Sequence, residues 1–273
     1  MLPKPYSLED RYGPDMFMHG SNAMIPLTWD DGAKWWVRIR QLYPASPPTP
    51  VRKLGIISEA ATMEALSQGG VRGPRVWVPS DIRTGESACG PRTSTFALDL
   101  GLDLTTGPLE YIFIEHLDGK DEECLLDPDR APTDRTRLVV ENLAKWLISL
   151  ENVHFDKVGS LTLDDDGNVS VDGVLNWVTF NGSEPWLLGP YATARERYYD
   201  HFDQTMKRIV TGHWVPQLLK VQHYLVALES RTLVELCPGL DEGPWYLKHA
   251  DSKGDVWLVN EQGEITGGID WEL

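Results

Sequence analysis

The sequence predicts an α+β protein of two lobes, a small antiparallel sheet followed by a helical part. Three observations carry that expectation. Residues up to about 115 read as short alternating strands around one helix. From Thr133 onward leucines recur at helical spacing. The pattern changes once along the chain, near Glu115 to Gly119, where a β-rich run meets a glycine turn. The expected lobes are therefore residues 1–115 and 116–273, a size that allows either one large domain or two lobes.

Taken in order, "MFMHGSNAMIPLTWDDGAKWWVRIRQLYP" reads as a hairpin turning at Asp30-Asp31-Gly32. Trp35, Val37 and Ile39 alternate there with Trp36, Arg38 and Arg40, which puts Arg38 on the face opposite Val37. "ASPPTPV" reads as a proline-rich loop that no helix or strand crosses. "GIISEAATMEALSQGG" supplies a helix with Ile57, Ala60, Ala61 and Leu66 on one side and glycines as its stop. "GPRVWVPSD" and "LEYIFIEHLDG" complete the small sheet. Leu138, Leu143, Leu147 and Leu150 mark the next helix, and "ARERYYDHFDQTMKRIV" another. The last stretch reads as a hairpin of about five-residue strands joined at Gln262-Gly263, with His249 and Asp251 before it and Ile269-Asp270-Trp271 after it.

Composition narrows the function. A formal charge of −16, with acids outnumbering Lys and Arg 41 to 25, argues against nucleic-acid binding. Cys89, Cys124 and Cys237 form no metal-ligand spacing and read as reduced thiols. No run approaches the ~18 apolar residues of a membrane span, so the expected location is the cytoplasm. "DDDGN" at residues 164–168 does not make a calcium loop, because Val169 and Leu175 stand where glycine and glutamate are needed.

Phosphoryl transfer needs a backbone cradle over phosphates, a cation held by an acidic partner, an aspartate facing the acceptor hydroxyl and an acidic magnesium ligand. Candidates occur in that order. Gly20 sits in "HGSNAM" at a strand end, Arg38 lies on the next strand, and Glu59 on the following helix is placed to pair with Arg38. Asp251 and Asp270 bracket the last hairpin, so both carboxylates converge on one end of it.

The motifs "HGSNAM", "WWVRIR", "SEAATMEAL", "YIFIEHLDGK", "FDKVGSLTLDDDG", "LLGPYATARERYY" and "LKHADSKGDVWLVNEQGEITGGIDWE" together resemble the aminoglycoside phosphotransferase and choline kinase-like family, in its divergent fungal-type group. The resemblance implies a protein-kinase-like two-lobe fold and an ATP-dependent phosphotransferase acting on a small-molecule hydroxyl, with ATP and magnesium as cofactors. It places Gly20, Ser21 and Asn22 over the phosphates, Arg38 on them, and Glu59 behind Arg38. Glu115, His116 and Leu117 become the hinge that meets adenine, Asp251 the catalytic residue, and Asp270 the metal ligand. Two departures weigh on the other side. Val256 stands where the family has a metal-binding Asn. Asp255 beside it, as a neighbour on a strand, points to the opposite face and needs a one-residue bulge or slip to take that role. The closing helices usual after Ile-Asp-Trp-Glu are missing. The alternative expectation is a catalytically weak or inactive kinase-like protein that binds a nucleotide or a partner.

Overall fold

The computed structural model describes residues 17–19, 22–40, 47–79, 110–121, 131–164, 166–175, 185–212, 217–251 and 255–271. The α+β class is the one expected. A five-stranded antiparallel sheet is built from β1 (Phe17–His19), β2 (Asn22–Thr28), β3 (Lys34–Arg40), β4 (Val76–Trp77) and β5 (Tyr111–Glu115), in the order β1-β2-β3-β5-β4. β2 and β3 pair along their whole length, and the turn between them closes with Trp29 N–H donating to Ala33 O at 2.8 Å. Gly32 supplies its left-handed φ of 82°. Ala23 faces Ile39 and Ile25 faces Val37 across the pair, and the four make a small buried cluster. Arg38 and Arg40, on the other face, are buried as well. α1 (Thr49–Gln68) lies against that second face, where its Glu59 meets Arg38, so Arg38 is not a solvated surface charge.

α1 begins inside the proline-rich stretch that was expected to exclude helix. Pro48 caps it and a proline occupies its first turn. A proline there forfeits no hydrogen bond, because the first N–H groups of a helix have no internal partner, and its fixed φ suits the turn. The helix buries Ile56, Ala60, Ala61, Met63 and Leu66, and among them Glu59.

The second part is less helical than expected. α2 (Asp134–Ser149), α3 (Ala194–Thr211) and α4 (Lys220–Val234) alternate with short antiparallel pieces. β7 (His154–Phe155) pairs with β12 (Trp245–Tyr246), β8 (Ser160–Leu163) with β9 (Val169–Asp172), and β10 (Val174–Leu175) with β11 (Leu187–Leu188). β13 (Trp257–Val259) lies between β14 (Ile265–Gly268) and β6 (Lys120–Asp121). Strands of two to four residues are too short to show a period in sequence. β8 and β9 pair as a hairpin, and between them the Asn168 N–H donates to Asp164 Oδ1 at 2.7 Å.

The main core does not stop at residue 115. Ile56, Met63 and Leu66 of α1 join Val139 and Trp146 of α2 and Trp257 and Trp271 in one buried cluster. Trp146 lies 4.8 Å from Trp257 and 6.3 Å from Trp271 between ring centres, and its Nε1–H donates to Arg72 O at 2.9 Å. Leu117 rests on Gly267, where a β-carbon would come within 2.5 Å of Leu117 Cδ1. The segment after β5 is thereby held against the last hairpin. No described helix is long and apolar enough to cross a membrane.

Candidate functional site

Three distant segments meet at Arg38. Its Nη1 donates to Glu59 Oε1 of α1, and its Nη2 donates to Asp270 Oδ1 at 2.6 Å. The partners differ in surroundings, since the Glu59 side chain is 1% exposed and that of Asp270 35%. Burying a guanidinium and a carboxylate costs several kcal/mol each, and only their mutual contact offsets it. Glu59 therefore fixes the arginine, while Asp270 reaches toward solvent with one oxygen engaged.

Asp270 has a φ of 66°, the single positive value outside glycine among the described residues. Such a backbone costs about 1–3 kcal/mol unless its surroundings enforce it. Trp271, buried beside it, donates from Nε1 to Gly268 O at 3.0 Å. On the other side His249 Nε2 donates to the carbonyl of Ile269 at 2.9 Å. The His249 ring packs 4.7 Å from Trp271 and 5.6 Å from Trp257. His249 is thus a clamp within the core, consistent with a structural rather than proton-transferring part. It ties the Asp251 loop to the residue before Asp270.

The hairpin between those aspartates turns at its far end, where Gly263 N–H donates to Asn260 O at 3.0 Å. Its strands have three and four residues, shorter than expected. Asp251 and Asp270 lie beyond the end opposite that turn, and Asp251 lines a cleft of about 760 Å³ together with Trp271. Ser58 of α1, next to Glu59, lines it too.

Asp255 is not on a strand, as was expected, but in the turn ahead of β13, so the objection that strand neighbours face opposite ways does not apply to it. The register shift in this hairpin falls at Leu258 and Val259 instead. Val256 is buried in the main core. Asp255 Oδ1 is buried without a hydrogen-bond partner among the described residues, the condition of an oxygen placed to meet a cation. No group of three metal-ligating side chains exists among the described residues. Ile269 N–H donates to Val256 O at 2.9 Å, which sets the Asp255 backbone beside that of Asp270, and such a pair suits magnesium, which binds through one or two carboxylates and completes its shell with phosphate oxygens and water.

Gly20 and Ser21 lie outside the described residues. Asn22 opens β2, buried, paired across the sheet with Arg40. In the segment expected as the hinge, the Glu115 N–H donates to Arg75 O at 2.8 Å and the His116 N–H to Lys34 O at 3.0 Å. Leu117 is left as the residue whose backbone forms no hydrogen bond among the described residues. The Glu115 carboxylate is drawn below its ordinary range first by the hydrogen bond from the Arg75 guanidinium, against a smaller opposing effect of burial. Arg75 Nη2 lies 2.7 Å from Glu115 Oε1. Nothing in the sequence marked Arg75 as that partner.

Among solved structures the chain is similar to a macrolide 2′-phosphotransferase from Brachybacterium faecium, at 14% identity and a TM-score of 0.46, over 93% of this chain and 63% of that one. It therefore spans less than two thirds of that enzyme's length. It is also similar to a Rio2 kinase from Chaetomium thermophilum, determined with ADP, Mg2+ and phosphoaspartate, at 12% identity and a TM-score of 0.32, over 85% of this chain and 69% of that one. No protein-family model matches the sequence, and no curated protein matches it. At these levels of similarity it is the geometry around Arg38 that bears on function.

Proposed function

We propose that the chain is a kinase-like, ATP-dependent phosphotransferase acting on a hydroxyl of a small molecule, with residues 1–115 as its nucleotide-binding lobe and 116–273 as its catalytic lobe. The observation that carries this reading is Arg38 bridging the buried Glu59 and the partly exposed Asp270. A cation locked by an acid on a neighbouring helix, beside a second acid on a strained backbone, is what holding phosphates next to magnesium requires. Gly20, Ser21 and Asn22 cover the phosphates, Arg38 orients them, and Glu115 to Leu117 receive the adenine. Asp270, with Asp255 beside it, holds the magnesium, which when bound neutralises charge developing on the transferred group. Asp251 holds the acceptor hydroxyl in the cleft. It takes the proton as the acceptor oxygen bonds to the terminal phosphorus and ADP leaves.

One observation favours the second reading, a weak or inactive nucleotide-binding protein: Val256, at the position of a metal-binding Asn, is a core residue at 4% exposure. Calorimetric titration of ATP with and without magnesium, beside turnover on hydroxyl acceptors, separates the two. Magnesium-dependent ATP binding that Asp270→Ala removes is the expected result, together with transfer that Asp251→Asn lowers roughly a hundredfold or more. Binding without transfer to any acceptor leaves the second reading, and ATP binding indifferent to magnesium removes the metal assignment.

A further inference from the structure

The cleft beside Asp251 has a charge opposite to that of the molecule. The chain carries a formal −16, yet among the described residues the cleft is lined by Lys157, Arg197 and Lys248 against one carboxylate, Asp251 itself. Three separate segments supply these cations. The β7–β12 pairing joins the Lys157 and Lys248 segments. The bridge of Val158 to Tyr191, with reciprocal hydrogen bonds of 2.9 Å, ties the Lys157 loop to the residues ahead of α3 and so to Arg197.

None of the three makes an ion pair among the described residues, and the contrast within α3 shows that this is not for want of acids. Arg195 binds Asp241 through Nε at 2.6 Å and Nη2 at 2.7 Å, and it also donates to the carbonyls of Val234 and Cys237. Arg197, two residues along and therefore on another face, meets no carboxylate among the described residues and lies over the Tyr198 ring, 5.3 Å away. It sits near the N-terminal end of α3, where a cation is disfavoured by the helix dipole. Acids nearby in sequence do not answer these charges. Glu196 is committed to the capping box of α3, and neither it nor Asp156 lines the cleft. The His201 ring is held below the ordinary histidine range first by burial and then by the Arg197 charge. The remaining wall is largely apolar, with the aliphatic Leu161, Val171 and Val174 beside the rings of Phe155, Tyr198, Trp245, Tyr246 and Trp271.

We propose that this cleft binds an anionic hydroxy compound, a carboxylate or phosphate ester on an apolar, ring-bearing body, with Arg197, Lys248 and Lys157 receiving its charge. The proposal rests on the phosphotransferase reading, since it names the acceptor class of that same site. It excludes the polycationic amino-sugars that the overall acidity would invite. Three cations facing a polyamine repel it, whereas a planar guanidinium meets an oxyanion with two hydrogen bonds. The aromatic faces cover the ring, and its hydroxyl is left for Asp251.

The test is direct binding without nucleotide, by calorimetry or ligand-observed NMR on the full chain. The probes share one ring and one primary hydroxyl: para-hydroxymethylbenzoate, para-hydroxymethylphenyl phosphate, benzyl alcohol and para-hydroxymethylbenzylamine. We expect at least one of the two anions to bind roughly tenfold or more tightly than the alcohol, with the amine weakest. The stronger of the two identifies the anion. The preference should shrink toward unity in Arg197→Ala, survive in part in Arg197→Lys, and erode with added salt. Equal binding of alcohol and anions, tighter binding of the amine, no binding of any probe, or an anion preference untouched by both Arg197→Ala and Lys248→Ala would overturn it. If Arg197→Ala does not fold, the wild-type series and Lys248→Ala still decide. Transfer from Mg-ATP is read separately. Anion binding without transfer keeps the pocket and removes the phosphotransferase reading. Transfer to benzyl alcohol with no anion preference removes the pocket assignment alone.

Discussion

In the sheet-bearing part, Arg38, Arg52 and Arg75 each meet a carboxylate: Arg38 meets Glu59 and Asp270, Arg52 lies 2.8 Å from Glu110, and Arg75 lies 2.7 Å from Glu115. Around the cleft, Lys157, Arg197 and Lys248 have no such partner among the described residues. The difference teaches what each set is for. A cation answered by protein acids is positioned before any ligand arrives, and its field is largely neutralised. A cation left unanswered keeps its field for something that is not protein. Net charge reports neither arrangement, because it sums over a surface on which the two coexist.

The sharpest way to break this comparison is at the most buried pair. Glu59→Ala leaves the Arg38 guanidinium buried with its inner partner gone, and we expect a loss of about 3–5 kcal/mol in urea unfolding. A loss under about 1 kcal/mol would mean that Arg38 is not held from within. Asp270→Gly sharpens the contrast from the other side. Glycine adopts the left-handed φ freely, so the relief of backbone strain offsets the lost contact with Arg38. We expect stability to stay within about 1 kcal/mol of the parent, while ATP binding loses its magnesium dependence. A large destabilisation would assign Asp270 to the scaffold instead.

The smallest effect belongs to Glu115. Its folded-state carboxyl is held low chiefly by the hydrogen bond from Arg75. Its contribution is therefore present above the unfolded value of about 4.3 and is lost as pH falls through the lower, folded one. Half-exposed as the pair is, it is worth less than about 1 kcal/mol. Glu115→Gln should lower the melting temperature slightly near neutral pH and not at all in strong acid, as followed by circular dichroism. A difference that persists in acid would trace the effect to packing.

The parts of this molecule that could be read in the sequence are those whose cause is local. The β2–β3 hairpin follows from alternation and Gly32, and the Arg38–Glu59 contact follows from their places on consecutive elements. The onset of α1 is hidden in the sequence because Pro48 and Pro50 read as breakers, although the first turn is where proline fits. The two-residue pairs β7–β12 and β10–β11 exist only because tertiary packing brings their strands together, and no window of sequence contains that information. The same holds for the cleft. Lys157, Arg197 and Lys248 are ordinary surface charges in sequence, and what distinguishes them is a shared wall on which, among the described residues, Asp251 is the one acid. Asp255 reads in sequence as a strand neighbour of Val256, whereas β13 begins only at Trp257 and both residues lie in the turn ahead of it.

The placement of Trp271 gives the site a built-in optical reporter. Its indole touches the His249 clamp, follows Asp270 directly in the chain and forms part of the cleft wall. A nucleotide at Asp270 and an acceptor in the cleft would each change the polarity and quenching around one chromophore. Trp257 and Trp146, packed close by and as buried as Trp271, do not line the cleft. Differential emission between the wild type and Trp271→Phe would therefore isolate the signal of the site from the other tryptophans. Occupancy of either half could then be followed in real time with no label attached.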